Sequence, residues 1–201
     1  MKNQTTVKAS RGRPKTLNRD HILDVTMLAY WKQGAKGVSI NEICKLAQVS
    51  KPGLYREFDN EDGLMKAALN AYLETFLLPK LNELGSKLAF NDVLDDLVEF
   101  AIEERCDSPD GCMMVKMNEV KHLLGKSTQS ALENAHLQFL GFIEQRVEQA
   151  RQVGDMSSTM SNQLAAIYID AQLTAALAQR ARGEAPEKVR DVLKVAFSVF
   201  K

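Results

Sequence analysis

The sequence predicts an all-α protein of about nine helices, a small N-terminal head followed by a larger helical body. Three observations carry that expectation. Every long apolar pattern in the 201 residues repeats at three- and four-residue intervals, and none alternates as a strand would. Cap and stop residues fall at the breaks between these patterns. Charge also divides along the chain. Residues 1–60 hold 11 Lys/Arg against 5 Asp/Glu, a net of +6, and the remainder holds 15 against 21, a net of −6. A basic head on an acidic body points to a polyanion-binding unit joined to a non-binding one.

The first elements follow from local chemistry. Residues 1–15 form a basic arm without apolar period. Its Arg11-Gly12-Arg13-Pro14, with Lys15, suits a narrow minor groove and equally suits a solubilising tail. Asn18 caps a helix over 19–33 that carries Ile22, Leu23, Met27 and Tyr30 inward, and Gly34 ends it. Ser39, with Glu42 three residues on, starts a short helix in capping-box fashion; Ile40, Ile43, Cys44 and Ala47 form its buried face. Val49 anchors a turn, and Ser50 caps the next helix, with Pro52 tolerated in its first turn. That helix is expected to turn Leu54 and Phe58 inward and to present Lys51, Gly53, Tyr55 and Arg56 outward. A hydroxyl, a phenol and two cations at an exposed helix start suit a phosphate backbone and a major groove.

Beyond Phe58, Asp59 or Asn60 caps a long helix from Glu61 with Leu64, Met65, Ala68, Leu69, Tyr72, Leu73 and Phe76 on its apolar side. Pro79 predicts a kink or break just before it. Further helical patterns centre on Val93–Ala101, on Met113–Leu124 up to Gly125, and on residues 127–153, 160–182 and 187–200. The segment 160–182 is rich in alanine. The chain has 45% hydrophobic residues and 5 prolines, enough apolar surface for a packed core. Three scattered cysteines exclude a disulfide scaffold and favour a reducing cytosol. No apolar run is long enough for a membrane span.

The pattern over 16–76 resembles the tetracycline-repressor (TetR/AcrR) family of bacterial transcription regulators. The resemblance rests on ILDVTMLAYWKQG at 22–34, VSINEICKLAQVSKPGLYREF at 38–58 and LMKAAL at 64–69. It implies an N-terminal three-helix helix-turn-helix DNA-binding domain (16–76, motif 39–58) and a C-terminal helical ligand-binding and dimerisation domain (77–201). It further implies a homodimer on double-stranded DNA at a palindromic operator. By that analogy Ser39 and Lys45 lie near DNA. Ser50, Lys51, Pro52, Gly53, Tyr55 and Arg56 form the reading and phosphate-clamping surface, with Arg11, Arg13 and Lys15 added from the arm. The sequence departs from the family where Glu57 replaces a common histidine and Glu61 a common lysine, so one phosphate contact is expected to be missing. Acids there also suit a helix N-terminus.

Within the body, Tyr72, Phe76, Met113, Met114 and Met117, with Phe139, Phe142 and Tyr168, are candidates for an apolar effector pocket or for plain core. His136 shares that face as a cavity contact or, more commonly, a core histidine bonded to a carbonyl. Ala171, Ala175 and Ala178, with Val189, Val192, Val199 and Phe200, are candidates for the dimer face, since small side chains let helices approach closely. Two Glu-x-x-His pairs, Glu119–His122 and Glu133–His136, raise a helical metal-dependent enzyme as an alternative. The two motifs are fourteen residues apart across Gly125, and Glu119 and His122 fall opposite their helix's apolar stripe. No metal or other cofactor is therefore expected, nor catalysis. Cys106 and Cys112 could pair around a turn, although no cations lower their thiol pKa. A protein-interaction bundle whose head no longer binds DNA is the other alternative, kept open by the acidic Asp59–Asp62 segment. The expected function is a dimeric cytoplasmic repressor released by a small apolar or amphipathic effector.

Overall fold

Side-chain caps set the head. In the computed structural model, which describes residues 17–103, 109 and 111–200, Asn18 Oδ1 accepts the His21 amide at 3.2 Å and opens α1 (Arg19–Gln33). Ser39 Oγ accepts the Glu42 amide at 3.2 Å to start α2 (Ile40–Leu46), and Ser50 Oγ accepts the Gly53 amide at 3.2 Å to start α3 (Lys51–Phe58). Asn60, rather than Asp59, caps α4 (Glu61–Tyr72) through the Gly63 amide at 2.9 Å. Each such cap satisfies one of the amides that a helix start leaves without an intrahelical partner. Ile22, Ile43, Leu54 and Leu64 are completely buried where these helices meet.

The long helix does not break before Pro79. It widens into a π turn over Leu73–Leu77 and continues directly as α5 (Leu78–Gly85). Proline brings no amide to the preceding turn and crowds it, and the wider turn accommodates this without ending the rod. The body then adds α6 (Phe90–Ile102), α7 (Met113–Glu119), α8 (Lys126–Gln152), α9 (Asn162–Ala181) and α10 (Pro186–Phe197), which ends in a 3₁₀ turn reaching Phe200. Helix α7 stops short of the expected Gly125, and a 3₁₀ turn at Lys121–Leu123 redirects the chain. Among the described residues no strand occurs, and no helix is long and apolar enough to cross a membrane.

Two features join head and body. Trp31 lies edge-on to Tyr72 and Phe76, with ring centroids 4.9 Å away in both cases. Its indole donates to the Gly111 carbonyl at 2.9 Å, and Lys116 donates to the Trp31 carbonyl at 2.9 Å. The second feature is Asp62. Its carboxylate accepts the Ser127 amide (2.9 Å) and hydroxyl (2.6 Å) on one oxygen, and the Thr128 amide (3.0 Å) and hydroxyl (2.6 Å) on the other. An acid at the start of α4 thus caps the start of α8. Gly125 makes the approach possible, because a Cβ there would overlap the carboxylate. Helix α4 therefore packs on α1 and α3 on one side and on α8 on the other.

Burial would push the Asp62 carboxyl up, but the hydrogen bonds from Ser127 and Thr128 outweigh it and hold the group below its ordinary value. A carboxyl depressed in the folded state stabilises above the unfolded pKa of about 4 and loses that contribution as pH falls through the folded value. Asp62→Ala should therefore cost about 2 kcal/mol at pH 7 by urea unfolding. The gap from the parent should narrow below about pH 4.

Candidate nucleic-acid interface and the cavity behind it

Helix α3 is a short amphipathic rod held by its buried side. Leu54 and Phe58 enter the core, while Lys51, Pro52 and Arg56 are exposed and Tyr55 is half-buried. Lys51 Nζ lies 5.6 Å from the Tyr55 ring centroid, so the cation and the phenol share one face. Ser39 and Lys45 on α2, and Ser50 at the cap, are exposed on the same two-helix unit. The turn between α2 and α3 uses Gln48 at φ 54, a left-handed position that tightens the connection. Arg19 reaches back from α1, stacking 5.3 Å over the Phe58 ring and pairing with Glu57 at 3.4 Å. Glu57 is thereby tied to the head itself.

Gly53 corrects the expectation. It is buried, not outward, because Leu17 and the Ser50 hydroxyl lie against it, where a Cβ would meet them at 3.4 and 3.0 Å. Residue spacing gave its helical face but not the residue from before α1 that covers it. The acidic segment after Phe58 also reads differently in three dimensions. Asn60 caps α4 and Asp62 caps α8, while Asp59 and Glu61 remain exposed. Arg11, Arg13 and Lys15 lie outside the described residues.

Behind the head, α5 to α9 line a half-open cavity of about 220 Å³. Its walls come from Leu77, Leu81 and Leu84 of the rod, Leu97 and Phe100 of α6, Met114 and Val115 of α7, Phe139 of α8, and Leu173 and Leu177 of α9. Lys80, Asn118, His136, Asp170 and Thr174 add polar groups. Of the candidate pocket residues, Met114, His136 and Phe139 line this space; the other six do not. Tyr72 and Phe76 stack on each other with Trp31 edge-on to both, and Met113 and Met117 are completely buried core. Phe142 packs beside Gly85, and Tyr168 donates to the Ala196 carbonyl (3.3 Å) next to Phe200. His136 is not a carbonyl-bonded core histidine: its Nε2 is 2.8 Å from Asp170 Oδ2, and its side chain is 45% exposed. Asp170 is the only acid of the alanine-rich helix α9, a sequence signal that went unused.

The Glu-x-x-His residues face separate partners. Glu133 pairs with Lys121 at 2.7 Å, while His136 pairs with Asp170, and Glu119 and His122 are exposed. Among the described residues, no group of three or more His, Cys, Asp or Glu side chains is placed to hold a metal ion. Cys112 is buried and accepts the Tyr72 hydroxyl at 3.3 Å; Cys106 lies outside the described residues.

The candidate dimer face also divides. Val189 and Phe200 are completely buried within the protomer, since α10 packs on α6 and α9. Ala171, Ala175, Val192 and Val199 are exposed, and Ala178 is half-buried. Leu164, Ile167 and Val195, absent from the sequence-based set, extend the same two stripes, Val195 being 73% exposed.

Residues 22–68 match the sequence profile of the bacterial regulatory proteins of the tetR family. Among curated proteins, the chain is 34% identical over 114 residues to the HTH-type transcriptional repressor ComR of Escherichia coli (strain K12). That match covers 54% of this chain and 53% of the relative, so the chain spans about half the length of the curated relatives it matches. Among solved structures, a cysteine mutant of the TetR family transcriptional regulator CifR, complexed with 26-bp double-strand operator DNA, superposes with a TM-score of 0.81 at 20% identity. It covers 94% of this chain and all of that one. The reduced form of E. coli NemR gives 0.80 at 17% identity over 91% and 97% of the two chains. The head thus carries the tetR-family profile over residues 22–68, a curated repressor is similar over about half of the chain, and the fold of the described residues is that of solved TetR-family regulators.

Proposed function

We propose that this chain is a DNA-binding transcription regulator, a dimeric repressor of a palindromic operator that a small apolar or amphipathic ligand releases. The observation that carries the proposal is α3. Its start is capped by Ser50 and its far face is locked by Leu54 and Phe58, so Lys51, Pro52, Tyr55 and Arg56 stand on a rigid, solvent-facing ridge. Cations and a phenol held that way can clamp phosphates and reach base edges, which is how a recognition helix uses its N-terminal half. The DNA-bound CifR relative and the repressor name of ComR support the same reading.

Dimerisation is supported by the two exposed stripes. Leu164, Ile167, Ala171 and Ala175 on α9 and Val192, Val195 and Val199 on α10 leave apolar area that a second copy would bury in a four-helix arrangement. Release is supported by continuity. Leu77, Leu81 and Leu84 line the cavity on the same rod that begins at the head as α4. Helix α8 spans from Ser127 and Thr128, held by Asp62, to His136 and Phe139 in the cavity wall. Ser127 and His136 are roughly 14 Å apart along the helix at ~1.5 Å per residue. A ligand that alters either wall shifts the population away from the head separation the operator needs, about one DNA turn of ~34 Å.

Three outcomes follow. Tyr55→Ala should weaken binding to all DNA sequences alike, whereas Lys51→Ala and Arg56→Ala should relax preference at particular bases by about 1–3 kcal/mol. A binding-site selection with unchanged base preference would remove the two cations from a reading role. Deleting residues 1–15 should lower operator affinity and flatten the salt dependence by ~0.9 in slope per lost phosphate contact; unchanged values would make the arm only a tail. Val195→Glu combined with Ile167→Glu should give monomers in sedimentation experiments and lose operator affinity while the helical circular-dichroism signal persists.

A further inference from the structure

We infer that the body cavity is built for a compact apolar molecule, most readily a single substituted ring, carrying one hydrogen-bond-donating head, a hydroxyl or an amino group. This rests on the regulator reading for its biological sense but not for its chemistry. Size sets the body of the ligand. The space of about 220 Å³ exceeds the ~150 Å³ that holds benzene in an apolar protein cavity and leaves room for a short substituent. Leu84, Leu97, Phe100, Met114, Phe139 and Leu173 offer it only carbon and sulfur.

Polarity sets the head. Asp170 is the one carboxylate in the lining, with its side chain 20% exposed. One of its oxygens is 2.8 Å from His136 Nε2, the ring nitrogen that donates to it. A carboxylate accepts at both oxygens and donates from neither, so Asp170 keeps acceptor capacity at a mainly apolar wall whose other polar groups are Lys80, Asn118, His136 and Thr174. Lys80, the cation of the lining, is paired with Glu83 at 3.0 Å rather than with Asp170. The Cys112 thiol is likewise engaged, by the Tyr72 hydroxyl. A hydroxyl or amino head completes the carboxylate's hydrogen bonding. An ether cannot, and a carboxylate head meets like charge.

Isothermal titration of the full chain with four ring-matched probes tests the assignment: 4-propylphenol, 4-propylaniline, 4-propylanisole and 4-propylbenzoate. The phenol and the aniline should bind at least about tenfold tighter than the anisole, with the benzoate weakest. Asp170→Asn and Asp170→Ala should each shrink the phenol-over-anisole ratio, and Leu97→Trp, which fills the chamber, should abolish binding of all four. Equal affinity for phenol and anisole, a ratio unmoved in both Asp170 variants, or no binding of any probe by folded parent protein would overturn the inference. The wild-type ratio keeps the test independent of how well the variants fold. If the donor probes bind as expected but leave operator affinity unchanged, the release step of the regulator reading fails and the ligand class stands. If no probe binds while the operator still does, the reverse holds.

Discussion

The carboxylate of Asp62 is the constraint on which the arrangement depends. It takes four hydrogen bonds from the first turn of α8 while sitting in the first turn of α4, so one side chain fixes two helix starts against each other. Few residues could substitute. A neutral amide could not accept four donors on two oxygens, and a longer acid would hold the helices farther apart. The close fit extends to the backbone of α8, where Gly125 leaves space that any side chain would fill. Because α4 also packs on α1 and α3, the orientation of α3 relative to the body passes through this contact and the Trp31 cluster.

Head and body therefore form a mechanically continuous object, although their charge and roles differ. The head is basic and shows its cations on α3; the body is acidic and holds an apolar chamber. The same elements serve both. The rod that begins at Asn60 presents Leu64 and Leu69 to the core beside the head and then Leu81 and Leu84 to the chamber. Domain boundaries drawn at residue 76 fall inside the π turn, which explains why no linker composition marks them.

Much of this was legible from residues alone. Asn18, Ser39 and Ser50 announce helix starts because their side chains can reach an orphan amide, and each does so. Helical periodicity also identified Leu54 and Phe58 as the buried side of α3. What periodicity could not supply was the identity of the covering partner. Gly53 lies on the side of α3 that looks outward until Leu17 is placed over it. Val189 and Phe200 carry the same kind of signal as Val192 and Val199, but the first two face α6 and α9 within the protomer and the others face solvent. The aromatic and methionine stripe reached the chamber only at Met114 and Phe139 for the same reason: Tyr72 and Phe76 found Trp31, and much of the wall came from leucines of helices far apart in sequence. The acids after Phe58 looked like a lost phosphate contact, and the sequence held no hint that Asp62 would meet a helix start 65 residues later.

The π turn at Leu73–Leu77 has a mechanical consequence. Its i→i+5 backbone bonds interrupt the i→i+4 ladder that otherwise runs from Glu61 to Gly85, so the rod changes its helical register there. The rod thus has a joint beside the Trp31 cluster, with the wall of the cavity on one side of it and the head on the other.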